Sequence, residues 1–281
     1  IVNSDQHSKD YSILADKMRP GHADYAGHVR YQGFNDYRGG GHFSGRLTAP
    51  LVFAGAVAKQ ALAQYGIIVG SHILQINDIK EERFNPMGVS DAELAELHTK
   101  KFAVMDDAVG EKMQERILQA KSELNSVGGV IEAIALHLPA GIGAPYFDSV
   151  ESMLSHALFS VPAVKGVEFG DGFGFARLTG AEANDALHYV DGKVKALTNH
   201  NGGVTGGITN GMPFVVRVAI KPTPSIAREQ QTVSLKEQAD TTLAIVGRHD
   251  PCIVQRAVPV IEAVVAWTLW DLLLEAKKWE K

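Results

Sequence analysis

The chain has 281 residues, enough to bury a sizeable core, and its 45% hydrophobic and 21% charged residues are the proportions of a globular protein and not of a disordered one. A formal net charge of −5 argues against broad attraction to nucleic acid or to an anionic membrane, so any anion site has to be a focused basic pocket. The single cysteine, Cys252, has no partner for an internal disulfide or a CxxC motif, which favours a reducing cytoplasm and a role as a small apolar residue.

Ile1 is not a methionine, and "IVNSDQHSKDYS" reads as the end of a strand followed by a polar loop, so the natural start is expected upstream. At residues 37–50, "YRGGGHFSGRLTAP" joins Gly39, Gly40 and Gly41 to the donors Arg38, His42, Ser44 and Arg46. Behind it Leu51, Ala54, Val57, Ala58, Ala61, Leu62 and Tyr65 recur at helical spacing. The loop therefore opens a helix, whose N-terminal N–H groups suit phosphate, and the alternative is a glycine-rich turn with solvated arginines. It matches neither GxxxxGK[ST] nor a clean GxGxxG.

Further along, "IIVGSHILQI" has the β-branched content of a strand, and residues 91–125 read as a charged helix with Met113, Ile117 and Ala120 on one face. "GGVIEAIALHLP" is a buried strand ending at Pro139, and "FDSVESMLSHALFS" is a helix capped by Asp148 or Ser149. "VKGVEFG", "FGFARL" and "PFVVRVAIK" are strand candidates. The last helix, from about Val258 to Glu275, sets Val258, Ile261, Val265, Leu269 and Leu272 on one stripe. Pro259, Glu262 and Asp271 make it a buried helix and not a membrane span. His72 and His137, on apolar segments, read as core histidines. Strands and helices do not alternate in a βαβ rhythm, which favours an α+β fold, and no composition shift divides residues 1–281 into domains.

Four clusters combine permissive backbone with donors or titratable groups: "RPGHADY", "GGGHFSGR", "NHNGGVTGGITNG" with "KPTPS", and "GRHDP". A metal is disfavoured, because His22, His42, His200 and His249 lie near arginines or in glycine loops and form no HxxxH or HExxH pair.

These clusters, with "HSKDYS", "DYRGGG", "LPAGIG", "VKGVEFGDGF" and "GRHDPC…RAVP", closely resemble the chorismate synthase family in order from residue 1 to about 275. The resemblance implies a layered β-α-β sandwich with helices between two antiparallel sheets, assembled as a homotetramer. It also implies a flavoprotein of aromatic amino acid biosynthesis, linked to NADP, that needs reduced FMN and acts on a small phosphorylated substrate, with FMN reduced by the enzyme itself or by a separate flavin reductase. The implied catalytic residues are His22 and Asp250, and the implied substrate-binding residues are Arg19 and Arg46. Cofactor-binding positions carried over are His42, Phe43, Ser44, Ala163, Gly206, Lys221, Pro222, Thr223, Pro224, Ser225 and Arg248. Where the family commonly has "GGRSSARET", this chain has "GGHFSGRLT", so His42, Phe43, Gly45 and Leu47 are departures. The family's upstream segment, with a GESHG-type loop, has no counterpart in this sequence. The rival expectation is a non-catalytic flavin- or phosphate-binding remnant.

Overall fold

The computed structural model describes residues 13–245 and 250–277. In chain order the elements begin with α1 (Asp24–Arg30), α2 (Ala49–Ala63), β1 (Ile68–Ile76) and β2 (Ile79–Lys80). Then come α3 (Asp91–Thr99), α4 (Asp107–Ser122), β3 (Gly129–Leu136), α5 (Val150–Phe159) and β4 (Val164–Phe169). The remainder are α6 (Gly180–Ala183), β5 (Leu187–Val190), β6 (Lys193–Ala196), β7 (Val204–Thr205), β8 (Ile208–Thr209), β9 (Phe214–Ile220), β10 (Gln230–Ser234), β11 (Ala239–Leu243) and α7 (Val254–Lys277).

Helices and antiparallel sheets make the chain α+β, as its sequence pattern predicts. The main sheet has the order β2-β1-β3-β9-β4, and among the described residues the other strands pair as the hairpins β5-β6, β7-β8 and β10-β11. On one face of the main sheet Ile131, Ala133, Phe214, Val216 and Val218 share one buried core with Ile261, Val264, Val265 and Leu269 of α7, which lies against β1 and β3 with α2 and α5 flanking it. This burial identifies α7 as a core helix. Its buried acid, Glu262, is compensated by Lys59, by Ser71 Oγ at 2.8 Å and by His98 Nε2 at 3.1 Å.

The opposite face carries a small apolar cluster of Phe84, Leu94, Leu97, Ile134, Leu136 and Val215, beside a row of charges. His72, Glu132, Arg217 and Glu168 stand directly opposite one another across β1, β3, β9 and β4. Arg217 bonds Glu132 at 3.1 Å and Glu168 at 2.6 Å, while His72 contacts Glu132 at 3.1 Å and also Glu81. His72 is thus a core histidine, but a charged-partner one. His137 is not: it is more than half exposed and 3.2 Å from Asp91.

Two further expectations fail locally. The charged run at 91–125 is two helices, because Ala103 and Val104 are buried between them and the Ala103 carbonyl accepts the Ile73 N–H of β1 at 2.7 Å. Ser90 with Glu93 caps the first helix, and Asp106 caps the second. "FGFARL" lies in a 3₁₀ segment, Gly172–Arg177, because Gly170 and Gly172 turn the chain at φ +54° and +53° and Glu168 accepts the Phe173 N–H.

Candidate functional site

The turn that opens α1 builds the first part of the site. Gly21, at φ +71°, lets the chain reverse so that His22 N–H donates to the Arg19 carbonyl at 3.2 Å. Asp24 is buried and gathers four donors. Its Oδ2 accepts from Arg19 N–H at 3.1 Å and from Arg19 Nε at 2.7 Å, and its Oδ1 accepts from Arg19 Nη2 at 2.7 Å. The same Oδ1 stands 2.6 Å from His22 Nδ1. Burial pushes the Asp24 carboxyl up, but the hydrogen bonds and charges of Arg19 and His22 outweigh it and hold the group well below the usual carboxylate range. Arg19 is itself buried and gives most of its guanidinium to this carboxylate, with Nη1 donating to Ser225 Oγ at 3.2 Å. The expected substrate contact of Arg19 is therefore at best shared with a packing role.

The second part leaves the end of β9. Lys221 N–H donates at 2.9 Å to the carbonyl of Ala163, a residue held at φ +73°, and Lys221 Nζ donates to the carbonyl of Gly21. Burial, reinforced by the charge of Lys165, lowers the pKa of Lys221. Pro224 packs on Gly21, and Ser126 Oγ donates to the Thr223 carbonyl at 2.7 Å. Thr223 Oγ1 is buried and, among the described residues, has no hydrogen-bond partner. Val127, next to Ser126, donates its N–H to Pro251 O at 2.8 Å, which ties the Asp250 segment to this loop. Asp250 Oδ1 accepts the Cys252 N–H at 3.2 Å. Its Oδ2 is buried and, among the described residues, accepts no aligned hydrogen bond, although Nε of the exposed Arg256 stands 3.2 Å away.

The glycine loop closes the third side. Gly41 sits at φ +49°, and a Cβ there would lie 2.2 Å from the Asp36 carbonyl oxygen, so only glycine fits. A Cβ on Gly40 would lie 3.7 Å from both His22 Nε2 and Ser44 Cβ, which puts the loop backbone and Ser44 beside the imidazole. Ser44 Oγ accepts the Arg46 N–H at 3.3 Å and caps the short turn that runs into α2, so the loop opens a helix as expected. Arg46 is exposed. The two departures at 42 and 43 turn toward α1: the Phe43 ring lies over Gly27, and the His42 ring is 6.3 Å from that of Tyr31.

The structure thus joins His22, Arg19, Ser44, Ala163 and the Lys221–Ser225 loop, with the Asp250 segment adjoining. Gly206 is elsewhere. It forms the tip of β7-β8, which is held to residues 143–150 and to the start of β9, whereas Lys221 follows that strand's end. The seven residues of β9, roughly 20 Å, run between that strand's start and Lys221. Arg248 falls at 246–249, outside the described residues. Asp24 was not singled out by sequence reasoning, and its only signal is the acid two positions after His22.

A family model described as chorismate synthase matches residues 1–274. The chain is 46% identical over 278 residues to a chorismate synthase of Pyrococcus abyssi, covering 99% of this chain and 76% of that one. It is 47% identical over 280 residues to a chorismate synthase of Thermococcus gammatolerans, covering 100% and 77%. A crystal structure of chorismate synthase matches with a TM-score of 0.73 at 31% identity, covering 90% of this chain and 70% of that chain.

Proposed function

The chain belongs to the chorismate synthase family, and from that premise we propose how its own residues serve the reaction. The enzyme is a lyase that forms chorismate from 5-enolpyruvylshikimate 3-phosphate, losing phosphate and a C6 proton by 1,4-anti elimination. Identity of 46–47% along the whole chain speaks against a non-catalytic remnant.

The residues present suit a bound, phosphate-bearing flavin. Lys221, the hydroxyl of Thr223, which has no partner among the described residues, and the hydroxyl of Ser225 are donors in one loop, and Ser44 with the glycine loop lies beside His22. Reduced FMN, when bound, supplies an electron-rich flavin beside the substrate without net redox change. His22 presents Nε2, the ring atom turned toward Gly40, to the site as the atom through which a proton is exchanged. Asp250 accepts the substrate proton at Oδ2, which among the described residues has no aligned donor. Arg46, exposed at the mouth of the loop, meets the substrate's anionic groups, and Arg19 acts from one layer behind. Ala163 supports the site through its carbonyl, and Pro222 and Pro224 stiffen the loop between the donors.

The observation that carries this reading is the buried Asp250 Oδ2, which among the described residues accepts no aligned hydrogen bond, beside a loop whose Thr223 hydroxyl also has no partner among them. In Asp250→Asn, turnover is expected to fall by about 10²–10⁴ while FMN binding, read by flavin fluorescence, is retained. Undiminished turnover would defeat the assignment. The wider setting belongs to the same proposal: a cytoplasmic enzyme, supported by its lone buried thiol, and a homotetramer, supported by the exposed aromatic rings of Phe34, Phe147 and Phe173. FMN reduction by a separate reductase or by the enzyme itself with NADP is separable by assaying turnover with each electron source.

A further inference from the structure

We propose that Asp24 is the positioning residue of His22: its Oδ1 fixes the imidazole as the Nδ1–H tautomer, Arg19 fixes Asp24, and Nε2 is left bare toward the glycine loop. The inference rests on the reading of His22 as an acid–base group, and its chemistry follows from donor counting. Arg19 Nη2 and His22 Nδ1 both lie within 2.7 Å of Asp24 Oδ1 and 3.1 Å from each other. Two donors that converge on one oxygen produce that N···N separation without bonding one another. Arginine cannot act as an acceptor, and a carboxylate oxygen at 2.6 Å demands a hydrogen on Nδ1. The neutral ring then carries its hydrogen on Nδ1 and its lone pair on Nε2.

Asp24 is well placed for this task. It is buried and receives the main-chain N–H of Arg19 as well as both Nε and Nη2 of the guanidinium, so the carboxylate cannot rotate. Ser225 and Lys221 lock the arrangement from the loop after β9, through Arg19 Nη1 and the Gly21 carbonyl. Arg19 is thereby a positioning residue at one further remove. Among the described residues the charged groups bonded to the His22 ring are Asp24 and Arg19, and its Nε2 edge is turned toward Gly40.

Asparagine at 24 offers one oxygen to four donors. Arg19 N–H and Nε–H claim that oxygen at the Oδ2 position, which turns the amide NH₂ toward His22 and requires Nδ1 to accept. The variant is therefore expected to flip the ring to the Nε2–H tautomer.

The test is long-range ¹H–¹⁵N correlation on the ¹⁵N-histidine-labelled enzyme, at a pH where the ring is neutral, with His22→Ala used for assignment. The wild type is expected to show a protonated Nδ1 and a bare Nε2. Asp24→Asn, checked for native circular dichroism, is expected to show the reverse, with kcat lowered on the order of 10²-fold and KM for the substrate little changed, and Asp24→Glu is expected to restore part of kcat. A wild-type ring protonated at Nε2 overturns the proposal whether or not any variant folds, and so does a folded Asp24→Asn enzyme that keeps both tautomer and kcat. Unchanged turnover in His22→Ala overturns the acid–base reading of His22 alone, because the tautomer is measured without turnover.

Discussion

His72 has a carboxylate at each ring nitrogen, Glu81 at Nδ1 and Glu132 at Nε2, and no exposed surface. Two acceptors require two N–H groups, which only the imidazolium provides. Burial pulls the pKa of His72 down, but the hydrogen bonds and charges of Glu132 and Glu81 outweigh it and leave it raised. Glu132 responds in the opposite sense: burial pushes it up, and His72, the Phe84 N–H and Arg217 hold it below its ordinary value. The sign of the linkage follows. A raised folded pKa gives stability that is complete below about pH 6.5, the unfolded histidine value, and is lost as pH climbs through the folded pKa. The urea midpoint is therefore expected to decline as pH rises above about 6.5, with a limiting slope of about 1.4 kcal/mol per pH unit for one proton. A flat profile would show that His72 is neutral. Asp24, held low, acts at the other end, since its contribution is present above about pH 4 and disappears below it.

At the scale of elements, the tightest joint is the crossing of α2 and α7. A Cβ at Gly55 would stand 2.2 Å from the Ala263 Cβ and 2.8 Å from its carbonyl oxygen, so the helices meet at backbone distance. Gly55→Ala gains about 1 kcal/mol of helix propensity and loses about 1–3 kcal/mol to overlap in a packed core, so a net drop in melting temperature of a few degrees is expected. A rise would refute the close crossing. The sequence reveals some elements better than others, and the reasons are physical. β1, β3, β9 and α7 are buried on both sides or along a broad stripe, so their β-branched runs and helical period stand out. The break between α3 and α4 does not, because a non-local bond from Ile73 to Ala103 makes it. Hairpins such as β5-β6, mostly exposed, carry no burial pattern to find. In the site, His22 and the Lys221–Ser225 loop are legible as motifs. The commitment of Arg19 to Asp24, and the turning of His42 and Phe43 toward α1, depend on contacts that no local pattern encodes.

At the scale of the whole molecule, Cys252 reports on the core. It is buried, and burial pushes its thiol up to about 11, so little thiolate exists at neutral pH. Labelling by a disulfide reagent at pH 7.5 is expected to be at least about 10²-fold slower in the native protein than in urea, and to follow global unfolding. Rapid labelling of the folded enzyme would mean that the start of α7 opens locally. The charge row on the far face of the sheet has a broader effect. Moving β9 by one residue would turn Arg217 into the layer beneath α7 and bring Val216 or Val218 out beside Glu132. Moving β3 by two would keep its face but set Val130 or Ile134 between His72 and Arg217, taking from both the carboxylate of Glu132 that they share. Only one alignment of the four strands lets every charge meet its opposite, so the row proofreads strand assembly and makes misaligned sheets too costly to persist.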